Sequence, residues 1–140
     1  MERSSNRGLF RLFQDFFHRR DMGNFDCLEF ENVQNVAVVK FKDPKVMDPE
    51  RIEKMGKELL ALLEDDSNED MVVNFENVSF FSSAAINKLI VLEKHMRARG
   101  GEIRLTNLRP EVRDLFSYTH LDQVFQIRED EKEALESLRD

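Results

Sequence analysis

Short apolar blocks alternate along this chain with longer amphipathic ones. Residues 26–31 (DCLEFE) and 35–41 (NVAVVKF) predict two strands, and their spacing suits an antiparallel hairpin turning around residues 32–34. A helix is expected next, capped by Asp48 with Pro49 at its first position, where a missing amide hydrogen costs nothing. Its buried stripe would be Ile52, Met55, Leu59, Leu60, Leu62 and Leu63, with Ala61 opposite. Residues 71–75 (MVVNF) are too short for a helix and read as a buried parallel strand. After the apolar residues 78–81, Ser82 and Ser83 open a second helix reaching about Arg99. Its early turns (Ala84, Ala85, Ile86, Leu89, Ile90, Val91) carry almost no charge, so they should press on the sheet. Lys94, Arg97 and Arg99 suit the negative end of the dipole, and Gly100 and Gly101 end the helix. A strand at 102–108 follows. Pro110 then opens a helix with Val112, Leu115 and Phe116 inward, and a last strand is expected at 124–127. A closing helix spans 129–138 with Ala134, Leu135 and Leu138. The order ββαβαβαβα predicts an α/β fold, a mainly parallel sheet with helices packed on it.

The length of 140 residues suits one domain with an extension, residues 1–23 forming the extension and 24–140 the domain. A net charge of −7 argues against nucleic acid as a partner. The charge is uneven. Residues 1–20 hold five arginines against Glu2 and Asp15, a net +3, which leaves −10 on the rest. The lone Cys27 excludes an internal disulfide and reads as core filling. No apolar run approaches the ~18 residues of a membrane span, and arginines interrupt the first twenty residues where a secretory signal would be continuous. The expected location is cytoplasmic.

Within the extension, Leu9, Phe10, Leu12, Phe13, Phe16 and Phe17 fall on one side of a helical wheel, with Arg11, Gln14, Asp15 and His18 on the other. Such an aromatic face needs a cover. The chain's own domain, a second copy (a homo-oligomer) and a membrane surface or partner groove all qualify, the last because Arg19 and Arg20 suit anionic lipid.

Residues 72–86 (VVNFENVSFFSSAAI), 100–105 (GGEIRL), 109–116 (RPEVRDLF) and 121–125 (LDQVF) resemble, in order and spacing, the STAS family of sulfate transporter and anti-sigma factor antagonist domains. The resemblance spans roughly residues 26–138 and implies a STAS domain over 24–140. In anti-sigma factor antagonists the loop before the second helix reads Asp-Ser-Ser/Thr-Gly. Its first serine is phosphorylated by a partner kinase that is itself the anti-sigma factor. The match places Ser82 at the aspartate, Ser83 at the phosphorylated serine and Ala85 at the glycine, so the hydroxyl is kept and the flanking residues depart. The resemblance thus implies a regulatory protein-binding module of a partner-switching system, a phosphoprotein acting in transcription regulation. Ser83 would accept the phosphate, and Ser82, Ser83, Ala84, Ala85 and Asn87 would meet the anti-sigma factor kinase.

The residues themselves allow the same reading. A serine at a helix start lies among unpaired amides at the positive end of the dipole, and a phosphate there adds about −1.5 to −2 charges. One of the two serines is also expected simply to cap the helix. Enzyme readings find little support. There is no G-x-S-x-G, no glycine-rich phosphate loop and no metal-ligand spacing, and His18, His95 and His120 sit on separate elements as surface residues. No catalytic residue, metal or cofactor is expected. A non-switching scaffold, in which the serine is structural, is the alternative function.

Overall fold

The structure, a computed structural model, describes residues 21–139. The amphipathic 9–17 stretch and His18 lie outside the described residues. Three strands open the fold: β1 (Asp21–Asn24), β2 (Leu28–Val33) and β3 (Val36–Phe41), paired antiparallel in sequence. Strand β1 was not foreseen, since DMGN has neither alternation nor β-branched residues. It pairs because its neighbour offers an unpaired edge.

The hairpin forms as expected but turns later. Gln34 and Asn35 take positive φ values of 51° and 71°, the conformation that a two-residue connection between twisted strands requires. Strand β2 also begins two residues later than expected. The Asp26 and Cys27 amides both donate to the Glu58 carboxylate, each at 3.0 Å, and so leave the ladder.

After a two-residue strand β4 (Lys45–Val46), helix α1 (Pro49–Leu62) carries the chain to β5 (Asp70–Asn74), parallel to β3. Asp48 accepts from the Arg51 amide at 2.9 Å, as an N-cap does. Ile52, Met55, Leu59 and Leu62 are buried, Leu60 and Leu63 half-buried, and Ala61 exposed. Another two-residue strand, β6 (Phe80–Phe81), pairs in parallel with β4. Helix α2 (Ser83–Ala98) then leads to β7 (Ile103–Thr106), parallel to β5. Helix α3 (Pro110–Tyr118) buries Val112 and Phe116, and a 3-10 turn follows at Leu121–Gln123. The last strand, β8 (Gln126–Arg128), lies two residues beyond its expected start, because Val124 closes the turn and Phe125 is drawn into the core. Helix α4 (Glu131–Leu138) ends the fold with Ala134 buried.

The main sheet runs β1-β2-β3-β5-β7-β8, with every pairing from β3 onward parallel. The larger core, between one sheet face and α1 to α3, includes Cys27 and a run of touching rings. Phe75 lies 5.1 Å from both Phe41 and Phe81 and 5.9 Å from Phe116, which reaches Phe125 at 6.2 Å. Burial pushes the Cys27 thiol above its ordinary range. A smaller cluster on the opposite face joins Val36, Val38 and Val72 to Ala134 of α4.

Candidate functional site

The Ser82–Ser83 loop follows β5, on the side of the parallel sheet where strands end and ligand sites of α/β folds collect. The short β4–β6 pair positions it. The Ser79 amide and Oγ donate to the Pro44 carbonyl at 2.7 and 3.2 Å, and the Ser82 amide donates to the Val46 carbonyl at 3.0 Å. Beneath, the buried Phe81 ring meets Phe41 and Phe75. The loop is therefore tied to a neighbouring strand and footed on the core.

The two serines do different work. Ser82 has extended backbone angles, and its Oγ accepts from the Ala85 amide at 3.2 Å, so Ser82 is the N-cap of α2. Ser83 is the first helical residue and is exposed. No acidic side chain lies in this first turn, so nothing on the helix itself offsets the positive end of the dipole beside Ser83. Lys88, one turn further on, is engaged by Glu53 at 2.8 Å, and that ion pair holds the Glu53 carboxyl below the usual carboxylate range.

Ala84 and Asn87 are exposed beside Ser83, whereas Ala85 faces inward and is 0% exposed. Ser83, Asn87 and Val91 follow each other at four-residue spacing, which lines them along one face of α2. Three large apolar side chains near the loop are exposed, and one of them, Val91, was expected to press on the sheet together with Ala84; both instead lie on the outward side of α2. Met47 is 56% exposed just after β4, Phe80 48% exposed on β6, and Val91 41% exposed on α2. Phe80 carried the one available signal. In a two-residue strand of Phe-Phe, one ring must point away from the core.

Neither of the described histidines joins this site. His95 is exposed, with Nδ1 2.9 Å from the Val91 carbonyl, and His120 sits exposed in a left-handed turn at φ 62°. Among the described residues no three His, Cys, Asp or Glu side chains come together in a way that could hold a metal, and no helix is long and apolar enough to cross a membrane.

Comparison with known proteins adds relatives to this geometry. The STAS domain family model matches residues 28–134. A STAS-domain containing protein of Pseudomonas aeruginosa is 32% identical over 56 residues, which cover 40% of this chain and 55% of that protein. The match thus spans about half the length of this curated relative. Among solved structures, an anti-sigma factor antagonist (STAS) domain protein from Planctomyces limnophilus superposes with a TM-score of 0.74 at 20% identity, covering 81% of this chain and 98% of its own. An anti-sigma factor antagonist from Mycobacterium paratuberculosis gives 0.71 at 21% identity, covering 81% and 93%. The anti-sigma factor antagonist SpoIIAA in its unphosphorylated form gives 0.62 at 19%, covering 80% and 97%, and the phosphorylated form of the Bacillus protein gives 0.60 at 19%, covering 79% and 97%. At these identities the structural likeness establishes the fold.

Proposed function

The chain belongs to the STAS domain family, and from that premise we propose that it is a regulatory protein-binding module of the anti-sigma factor antagonist kind, switched by phosphorylation of Ser83. The observation that carries this reading is the division of labour at the helix start. Ser82 is occupied as the cap, and Ser83 stands exposed on a dipole end free of acidic side chains. A phosphate on Ser83 meets backbone amides that favour it, and it needs no rearrangement of the helix.

The docking face is Ser83, Ala84, Asn87 and Val91 of α2, flanked by Met47 and Phe80. Ala85 supports it from beneath. Apolar side chains with a few polar neighbours suit a protein partner, an anti-sigma factor that is also a serine kinase. A dianion in the middle of this face opposes an apolar or acidic partner surface by desolvation and like charge. The chain acts in the cytoplasm as a binding component of transcription control and carries out no chemistry itself.

The test compares wild-type protein with Ser83→Ala and Ser83→Asp. Mass spectrometry of wild-type protein from its source cells should find phosphate on the peptide carrying residues 79–88, and Ser83→Ala should lack it. Affinity capture should retain a kinase-type anti-sigma factor on the Ala form. Ser83→Asp should bind that partner more weakly by about 1–3 kcal/mol, roughly tenfold to a hundredfold in Kd. Phosphate on Ser82 instead would refute the assignment. Equal binding by all three forms would favour a non-switching scaffold, the reading to which Ser82 and Ala85 point as departures from the usual Asp and Gly.

A further inference from the structure

The exposed face around Ser83 has a charge of its own. Residues 77–99, which hold β6 and α2, carry Lys88, Lys94, Arg97 and Arg99 against Glu93 alone. That is +3 in a chain whose net charge is −7. Most of these cations are engaged. Lys88 lies over Gly56 of α1 and pairs with Glu53 at 2.8 Å. Arg97 binds both carboxylate oxygens of Glu93, and Arg99 donates to the Leu63 and Asn68 carbonyls. Lys94 differs. It is exposed one turn beyond Val91, and among the described residues no acid pairs with it.

A second such cation borders the face at its other end. In the parallel β4–β6 pair, Lys45 stands in register with Phe80, and Val46 with Phe81. Residues in register point to the same side of a sheet. Val46 and Phe81 are buried, so Lys45 and Phe80 point outward side by side. No acid among the described residues pairs with Lys45 either. The nearest acids in sequence belong to the start of α1: Asp48 accepts from the Arg51 amide, and Glu50 lines a depression with Lys54 and Lys57.

Between the two lysines the face is uncharged, with Met47, Phe80, Ala84, Asn87 and Val91 exposed on it. Helix α2 advances about 16 Å from Ser83 to Lys94. We propose, on the reading of this face as the docking site, that the partner surface it takes is acidic, with an apolar centre against Phe80 and Val91 and carboxylates opposite Lys45 and Lys94.

Two arguments select that chemistry. Apolar contact contributes affinity without choosing a partner, whereas charges at the rim set which sign of surface is admitted and speed its encounter. The second argument is the sign of the switch. A phosphate on Ser83 lies between the two lysines, offsets their charge and repels carboxylates. A basic partner would instead hold the phosphorylated form more tightly, the reverse of release.

Chemical-shift mapping on the isotope-labelled full-length chain tests this with two probes: an amphipathic peptide built of Glu and Leu, and its counterpart built of Lys and Leu. The Glu–Leu peptide should shift the amides of Met47, Phe80, Ala84 and Val91. Its affinity should fall roughly tenfold between about 50 and 500 mM salt. Lys45→Glu together with Lys94→Glu should lower that affinity on the order of tenfold and let the Lys–Leu peptide bind in its place. Lys94→Glu alone should fall between, and Lys132→Glu on α4 should change neither peptide. Thermal midpoints of all these variants should stay within roughly 3 °C of wild type, as surface changes do. Equal shifts by both peptides on wild type would overturn the proposal, as would shifts centred on α4 or none on this face. Sedimentation velocity showing wild-type copies that associate, and that part in the double lysine variant, would assign the acidic surface to a second copy and equally overturn it. Ser83→Asp should weaken the Glu–Leu peptide. If it does not, while the double lysine variant does, the acidic partner stands and the phosphate switch alone is refuted.

Discussion

Ser82 and Ser83 differ by one position and one hydrogen bond. The sequence offered two serines at a helix start and no means of telling which one caps, because their side chains are identical. The choice is made elsewhere in the chain. The Val46 carbonyl holds the Ser82 amide, Ser82 keeps extended backbone, and its hydroxyl turns to the Ala85 amide. Ser82→Ala should accordingly lower stability by about 1 kcal/mol, and Ser83→Ala should stay within roughly 0.5 kcal/mol of wild type, as surface changes do. Urea unfolding of the two variants distinguishes them, and equal losses would contradict the capping assignment. His120 shows the converse case. Its φ of 62° is a left-handed conformation that glycine adopts more readily, and no local pattern in Thr-His-Leu announces it.

Elements were legible wherever their apolar pattern was sustained, the four-residue β7 and, displaced by two residues, the three-residue β8 among them, whereas β1, β4 and β6 were not. The α1 helix carries both pattern and cap, so its start is read correctly to the residue, and the start of α2 is read to within the choice between Ser82 and Ser83. Strands β4 and β6 have two residues each, less than any periodicity can register, yet they place the candidate loop and bring Met47 and Phe80 beside it. The hairpin turn was misplaced because its residues are Gln34 and Asn35 and not the usual Asn-Gly, so the left-handed pair was hidden. That conformation makes a direct prediction. Gln34→Val puts a β-branched side chain at positive φ and should cost about 1–2 kcal/mol. Gln34→Gly should cost much less, and thermal unfolding of both checks the turn.

At the scale of the whole molecule, one series of rings joins the parts. Phe41, Phe75, Phe81, Phe116 and Phe125 link the sheet, the base of the serine loop, α3 and the turn before β8. Phe75 lies at the centre and is completely buried. Phe75→Ala should therefore cost about 3–5 kcal/mol, a large share of the roughly 5–15 kcal/mol that holds a domain of this size together. Chemical unfolding should show a single transition displaced to much lower denaturant, and a loss below about 1 kcal/mol would mean that the site collapses without a cavity. The same footing bears on time. The loop is tied to Val46 and Pro44 and rests on Phe81, so on the proposed reading a phosphate added to Ser83 would leave the backbone where it is. No slow refolding would then separate the two forms, and the lifetime of the proposed signal would be set by the rates at which the phosphate is added and removed, with no delay from the fold itself.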